Sequence, residues 1–237
     1  MNFLTLSQRL QLECGVSGTL STTAGQTGSL NRLVSWIGTA WEELQAEHDD
    51  WDFMKSSNLL GSGVSFTTVA GTAYYTLGTG AGTVGVTAAN FGKWDRTAFR
   101  NYTTTVGTNN EMYLDWIPYD TWRNAYMFGA MRSVQTRPVA VAIGPDNSVC
   151  LGPPPNALYT VTGDYFIAPT TMSQDTDTPT GLPVRYHMAI VYKAMEYYGS
   201  YEAAPEVLQR GQSSYKRLLA ELEALRLPEI SFAGSLA

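Results

Sequence analysis

The chain has 237 residues, of which 44% are hydrophobic and only 15% charged, and its net charge is −6. That length and apolar content suffice for one large core or two modest ones, and the acidic balance, with no basic patch, argues against a protein that grips nucleic acid through its phosphates. With so few charges, much of the polar surface must come from Thr, Ser, Asn, Gln and Gly, as in strand-rich domains and in surfaces that meet other subunits.

Residues Met1 to Thr5 place no basic region ahead of an apolar stretch, so no secretory signal is expected. Thr5 to Glu13 then reads as a short helix with Phe3, Leu6 and Leu10 inward, closed by Cys14-Gly15. Gly15 to Gly28 is rich in Gly, Ser and Thr without an apolar period and is expected to be a long loop. Leu30, Leu33, Val34, Ile37, Trp41 and Leu44 recur at helical spacing up to about Glu47, with Thr27 or Ser29 as candidate N-cap. Trp51, Phe53 and Met54 follow as an aromatic knot that closes the helix end.

From Leu59 to about Pro179 the period falls to two, and Thr, Val, Tyr and Gly dominate. Strands are expected at Val64 to Val69, Ala73 to Leu77, Trp94 to Tyr102, Met112 to Ile117, Val139 to Ile143, Ser148 to Leu151 and Tyr159 to Ile167. Gly144 to Asn147 has the composition of a hairpin turn. Pro118 to Met127, with Trp122 and Tyr126 one turn apart, fits a short helix. Pro153-Pro154-Pro155 must sit at an edge or in a connection, and Ser173 to Gly181 reads as a polar linker.

Leu182 to Pro228 reads as two helices back to back. On the first, from about Val184 to Tyr201, the polar residues Arg185, Lys193, Glu196 and Ser200 fall on one narrow stripe. Val184, Met188, Val191, Met195 and Tyr198 form one apolar row, and Ile190, Ala194, Tyr197 and Tyr201 a second. A helix so widely apolar is either central to a domain or clamped at a subunit interface, which makes Val191, Met195, Tyr198 and Tyr201 candidate assembly residues. Pro205 suits the first position of the second helix, Glu206 complements its positive end, and Pro228 stops it. Beyond it, Glu229 to Ala237 carries Ile230, Phe232 and Leu236 with a single charge. Disordered tails are usually charged and poor in large apolar residues, so this segment is expected to be an extended arm that docks on a neighbouring protein.

The fold expected is therefore α+β. Residues 1–58 and 180–228 form a helical domain, 59–179 a large antiparallel β-rich insertion of barrel or sandwich type, and 229–237 the arm. Chemistry is sparse. Gly80-Ala81-Gly82-Thr83-Val84-Gly85 matches a dinucleotide pattern, but Val86 to Gly92 does not open a helix and no acidic residue stands near twenty positions on. His48-Asp49-Asp50 with Asp52 lacks a second His or Cys to complete a metal site and reads as a solvated helix exit. His187 falls on the apolar side of its helix, where a lone histidine is usually hydrogen-bonded and inert. Cys14 and Cys150, far apart, fit buried thiols in a reducing compartment. No run approaches the roughly 18 apolar residues of a membrane span. No catalytic residue, metal or cofactor is expected.

The segment from Leu182-Pro183-Val184-Arg185-Tyr186-His187 through Ile190 to Ala194, Tyr197-Tyr198 and Tyr201 to Ala204 resembles the C-terminal helices of tailed-phage head-to-tail adaptor (connector) proteins. Leu6 to Gly15, Gly25 to Gly28 leading into Leu30 to Trp41, and the strand Tyr159 to Tyr165 after the proline run are similar to the same proteins, including the tail tubular adaptors of short-tailed phages. The resemblance implies a virion structural protein, made in the host cytoplasm. It would form a dodecameric ring under the portal, offer its lower face to tail or nozzle proteins, and leave a channel for double-stranded DNA. An acidic, weakly charged protein suits such a channel, because the duplex can slide without sticking. The alternative is a tail or capsid decoration protein whose β insertion binds carbohydrate or another surface ligand through its scattered Tyr and Trp residues.

Overall fold

A computed structural model describes residues 1–228. The chain opens with helices α1 (Phe3–Glu13) and α2 (Gly28–Ala46). The middle contains strands β1 (Lys55–Ser56), β2 (Val64–Thr67), β3 (Tyr74–Tyr75), β4 (Phe91–Trp94), β5 (Arg100–Thr103), β6 (Met112–Tyr113) and β7 (Asp115–Trp116). Helix α3 (Tyr119–Tyr126) and strands β8 (Ala140–Ile143), β9 (Val149–Gly152), β10 (Tyr159–Gly163) and β11 (Tyr165–Ile167) complete it, and helices α4 (His187–Tyr201) and α5 (Pro205–Arg226) close the chain. The α+β class expected from the pattern is the one observed. Two compact units result, one of Met1–Met54 with Pro169–Ala237 and one of Lys55–Ala168.

In the helical unit, α4 packs against α1, α2 and α5. Its contact with α5 is close because two glycines face each other's helix. A Cβ on Gly199 would lie 2.7 Å from the Leu208 nitrogen, and one on Gly211 would lie 2.9 Å from the Tyr192 carbonyl oxygen. Asn2 caps α1 by accepting from the Thr5 amide at 2.8 Å, a role the sequence reading missed. Thr27 stands at the N-cap of α2 without a side-chain capping bond. The polar linker is a strap. Asp175 Oδ1 accepts from the amide and hydroxyl of Thr23 at 2.6 and 2.5 Å, and the Phe3 amide donates to the Asp177 carbonyl at 2.7 Å.

The second unit holds three sheets, ordered β1-β11-β4, β2-β10-β5-β6 and β3-β9-β8-β7. Three expected strands are each divided. Met112 to Ile117 breaks at Leu114, which is fully buried, so that β6 joins one sheet and β7 another. Tyr159 to Ile167 breaks at Asp164 in the same way, and Trp94 to Tyr102 becomes β4 and β5 around a turn in which Asp95 Oδ1 accepts from the Thr97 amide at 3.0 Å. Period-two patterning cannot show such a switch, because inward residues keep alternating as the chain passes from one sheet to the next. The expected hairpin is present. β8 and β9 are joined through Gly144 to Asn147, the latter at φ 62°, and the Gly144 amide donates to the Ser148 carbonyl at 2.8 Å.

Trp94, Phe99, Leu114, Val141, Leu151 and Val161 belong to one apolar cluster of this unit. A polar knot lies in the same unit, where fully buried Asn101 donates to the Pro138 carbonyl at 2.7 Å and accepts from Arg137 Nε at 2.8 Å. The Gly80 to Gly85 segment is a turn folded back on β3. Thr76 bridges Thr83, the Val84 amide donates to the Thr76 carbonyl at 3.0 Å, and Val84 is fully buried. Val86 is also buried and begins no helix, so the geometry that would seat a pyrophosphate on a helix N-terminus does not arise.

Candidate assembly interface

Helix α4 places its apolar residues at three depths. Val191 and Met195 are fully buried against the chain's own helices, together with Ile190 and Ala194. Tyr198 is half-buried, and Tyr201 is 53% exposed. Val184 belongs to a single 3-10 turn ahead of α4 and is 72% exposed. It therefore leaves the apolar row that helical winding predicts for it. Of the candidate assembly residues on α4, Val191 and Met195 support the helix from beneath, while Tyr198 and Tyr201 reach its surface. Ile230, Phe232 and Leu236 lie outside the described residues.

An aromatic cluster forms where the C-terminal end of α4 meets α2. Trp36 meets the edge of Tyr198 at 6.2 Å between ring centroids and lies 5.8 Å from Tyr201. The Arg32 guanidinium sits 4.2 Å over the Tyr201 ring. Partly exposed aromatic rings with a stacked arginine are the composition that concentrates binding energy at protein interfaces. Sequence pattern supplied the two tyrosines. Trp36 and Arg32 were missed because they fall beside the inward row of α2 rather than on it, and only the packing of α2 on α4 brings them together.

The polar stripe of α4 is not simply solvated. Lys193 pairs with Glu43 at 3.3 Å and lies 5.0 Å over the Tyr215 ring, and the Tyr215 hydroxyl donates to Glu47 at 3.2 Å. Burial raises the Glu196 carboxyl above its ordinary value against the opposing pull of Lys193 and Lys216. Burial and the neighbouring Glu47 likewise push the Tyr215 hydroxyl up. These groups tie α2, α4 and α5 together.

His187 is 4% exposed; the Met1 amine donates to its Nδ1 at 2.7 Å and its Nε2–H donates to the Leu182 carbonyl at 3.1 Å. Burial, then the charge of the Met1 amine, lowers its pKa. Both ring nitrogens are therefore occupied in holding the start of α4, and neither is free to move a proton. His48 bonds Glu223 at 2.9 Å and stacks edge-on against Trp51, while Asp52 pairs with Arg226 at 3.0 Å. The helix exit expected to be solvated is thus pinned to the last turns of α5. The Cys14 thiol is pushed up to about 12 by burial and Cys150 to about 11 by the same cause, so neither is a thiolate at neutral pH. Among the described residues no group of three His, Cys, Asp or Glu side chains is placed to hold a metal, and no helix is long and apolar enough to cross a membrane.

Residues 1–233 match the family model described as SU10 adaptor protein. The comparison with curated proteins gives no match.

Proposed function

We propose, since the chain belongs to the SU10 adaptor protein family, that this phage structural protein joins the portal to the tail as a dodecameric ring through which DNA leaves the capsid. The observation that carries the reading is a family match spanning both the helices and the insertion. The net charge of −6 supports it, because an acidic ring repels the duplex it surrounds. A closed ring needs a head-to-tail contact repeated around its axis. We assign one side of that contact to the cluster of Trp36, Tyr198, Tyr201 and Arg32, whose exposed rings are only partly covered within one chain. The arm, residues 229–237 with Ile230, Phe232 and Leu236, serves as a second attachment that enters pockets or a sheet edge on a neighbouring protein. No catalytic role is assigned to any residue.

Copy number and place in the virion test the proposal directly. Mass measurement and imaging of intact particles should find a dozen copies confined to one vertex, between portal and tail. Hundreds of copies spread over the shell would instead establish the decoration reading, and absence from the particle would overturn both.

A further inference from the structure

Among the described residues β2 and β6 are the terminal strands of the sheet ordered β2-β10-β5-β6, and their edges match each other. Every neighbouring pair in it is antiparallel. With four strands, β2 and β6 run in opposite directions, so a second sheet set beside the first by simple rotation brings β6 antiparallel to β2. A sheet with an odd number of antiparallel strands would bring like directions together instead.

The backbone groups left over are also complementary. The Thr68 amide donates to the Tyr159 carbonyl at 2.8 Å, which sets the even-numbered residues of β2 toward β10 and turns the amides and carbonyls of Ser65 and Thr67 outward. The Leu114 amide donates to the Phe99 carbonyl at 3.0 Å, which sets Met112 toward β5 and turns Tyr113 outward. An outward Tyr113 opposite an outward Ser65 forms the closely bonded type of antiparallel pair. The faces then agree as well. Phe66, Val161, Asn101 and Met112 lie in register across one face of the sheet, and Met112 would fall opposite Phe66 of the adjoining copy, continuing that row.

Neither edge carries the usual protection. β2 reads Val-Ser-Phe-Thr and β6 reads Met-Tyr, without proline or charge in either strand. Glu111, just before β6, is already engaged with Arg100 of its own sheet at 4.0 Å. Met112 and Tyr113 project from the β6 edge, 42% and 44% exposed. Beside β2 is a recess lined by Ser65 to Val69, by Gly80 to Thr83, by Leu158 and by Gly85, on which an added Cβ would lie 3.9 Å from the Ser65 carbonyl oxygen. One edge thus offers projecting apolar side chains and the other a place to receive them.

We infer that β6 of one copy pairs with β2 of a second copy, with Tyr113 opposite Ser65, so that this sheet continues from subunit to subunit. The occupant is another copy of this chain, because strand direction, outward hydrogen-bonding groups and face all match between the two ends of one sheet. The contact is heterologous and can repeat indefinitely or close into a ring; only the closure rests on the adaptor reading.

The test uses full-length protein in a Cys14→Ser background, with buried Cys150 left in place. Ser65→Cys protein is mixed with Tyr113→Cys protein and treated with a short bis-maleimide. The mixture should give conjugates of one Ser65→Cys chain with one Tyr113→Cys chain, at least tenfold above either variant alone, and the double variant should give a ladder. Thr67→Glu, which in this register faces Glu111 of the adjoining copy, should abolish the conjugates through like-charge repulsion while leaving the thermal melt of the isolated protein unchanged. Conjugates between like variants, conjugates only with other virion proteins, or an undiminished yield with Thr67→Glu would overturn the inference. If the ladder fails while virions still hold the protein at one vertex, this inference falls and the adaptor reading stands. If the ladder forms but the protein is absent from the vertex, the adaptor reading falls alone.

Discussion

The two backbone groups of Thr170 bond the Gln45 side chain in opposite senses, and the Thr170 hydroxyl adds a third bond to Gln45 Oε1 at 3.2 Å. Gln45 Nε2 donates to the Thr170 carbonyl at 2.9 Å, and the Thr170 amide donates back to Gln45 Oε1 at 2.8 Å. At 2% exposure, Gln45 does for this stretch of chain what a neighbouring strand would do. Gln45→Met keeps the volume but leaves the two Thr170 groups without these partners. It should lower stability by about 1–3 kcal/mol, read as a shifted urea midpoint at unchanged slope. An unchanged midpoint would show that water replaces the side chain at no cost.

The α4–α5 crossing gives a comparison among three helical glycines. Gly199→Ala and Gly211→Ala each place a methyl group under 3 Å from backbone atoms of the facing helix. Each should destabilise by about 1–3 kcal/mol through overpacking. Gly38, within α2, has nothing within 4 Å of an added Cβ, so Gly38→Ala should stabilise by about 0.5–1 kcal/mol on helix propensity alone. Thermal melts of the three variants check the ordering, and a stabilised Gly211→Ala would contradict the close crossing.

Acid should weaken the helical unit in a window set by His187. Its folded pKa lies below the ordinary value of 6.5 because burial favours the neutral ring. The unfolded chain therefore takes up the proton first as pH falls. The contribution is complete above pH 6.5 and is lost as pH drops toward the folded value. His187→Gln should flatten stability against pH in this window while leaving virion assembly intact once any lost stability, about 1–3 kcal/mol, is allowed for. A separate loss, in the β-rich unit, begins near pH 3.8, where the unfolded chain takes up a proton that Asp146, held low by the hydroxyl and amide of Ser148, still resists in the fold. An identical pH profile for His187→Gln and the wild type would remove His187 from the account.

Tyr201→Ala and Arg32→Ala open the aromatic cluster without emptying a core, since Tyr201 is 53% exposed and Arg32 also lies at the surface. Each should leave the melt of the isolated chain within about 0.5 kcal/mol and lower ring assembly at least tenfold in sedimentation. Unimpaired assembly of the double variant would place the subunit contact elsewhere.

Removing residues 229–237 should leave the fold and melting temperature of the monomer unchanged and sharply reduce attachment to portal-bearing capsids. Normal attachment of the truncated chain would leave the arm without a role.

The amino-acid sequence determined the helices, because winding Leu33, Ile37, Trp41 and Leu44, or Ile190, Val191, Ala194 and Met195, onto a helix leaves only one way to bury them together. It also determined the hairpin at Gly144 to Asn147, since that depends on local residue type. Which of Val191, Met195, Tyr198 and Tyr201 reach the surface was decided only when α1, α2 and α5 closed around α4. An apolar period fixes a direction around the helix axis and says nothing about where the covering helices end. The strand switches at Leu114 and Asp164 were likewise decided by tertiary structure, because alternation of side chains continues unbroken when a strand leaves one sheet for another. The open edges of β2 and β6 follow from the same cause. Whether a strand is central or terminal depends on which partners it finds, near in sequence for β6 on β5 but 95 residues away for Phe66 of β2 on Val161 of β10, in a four-stranded order that no local period encodes.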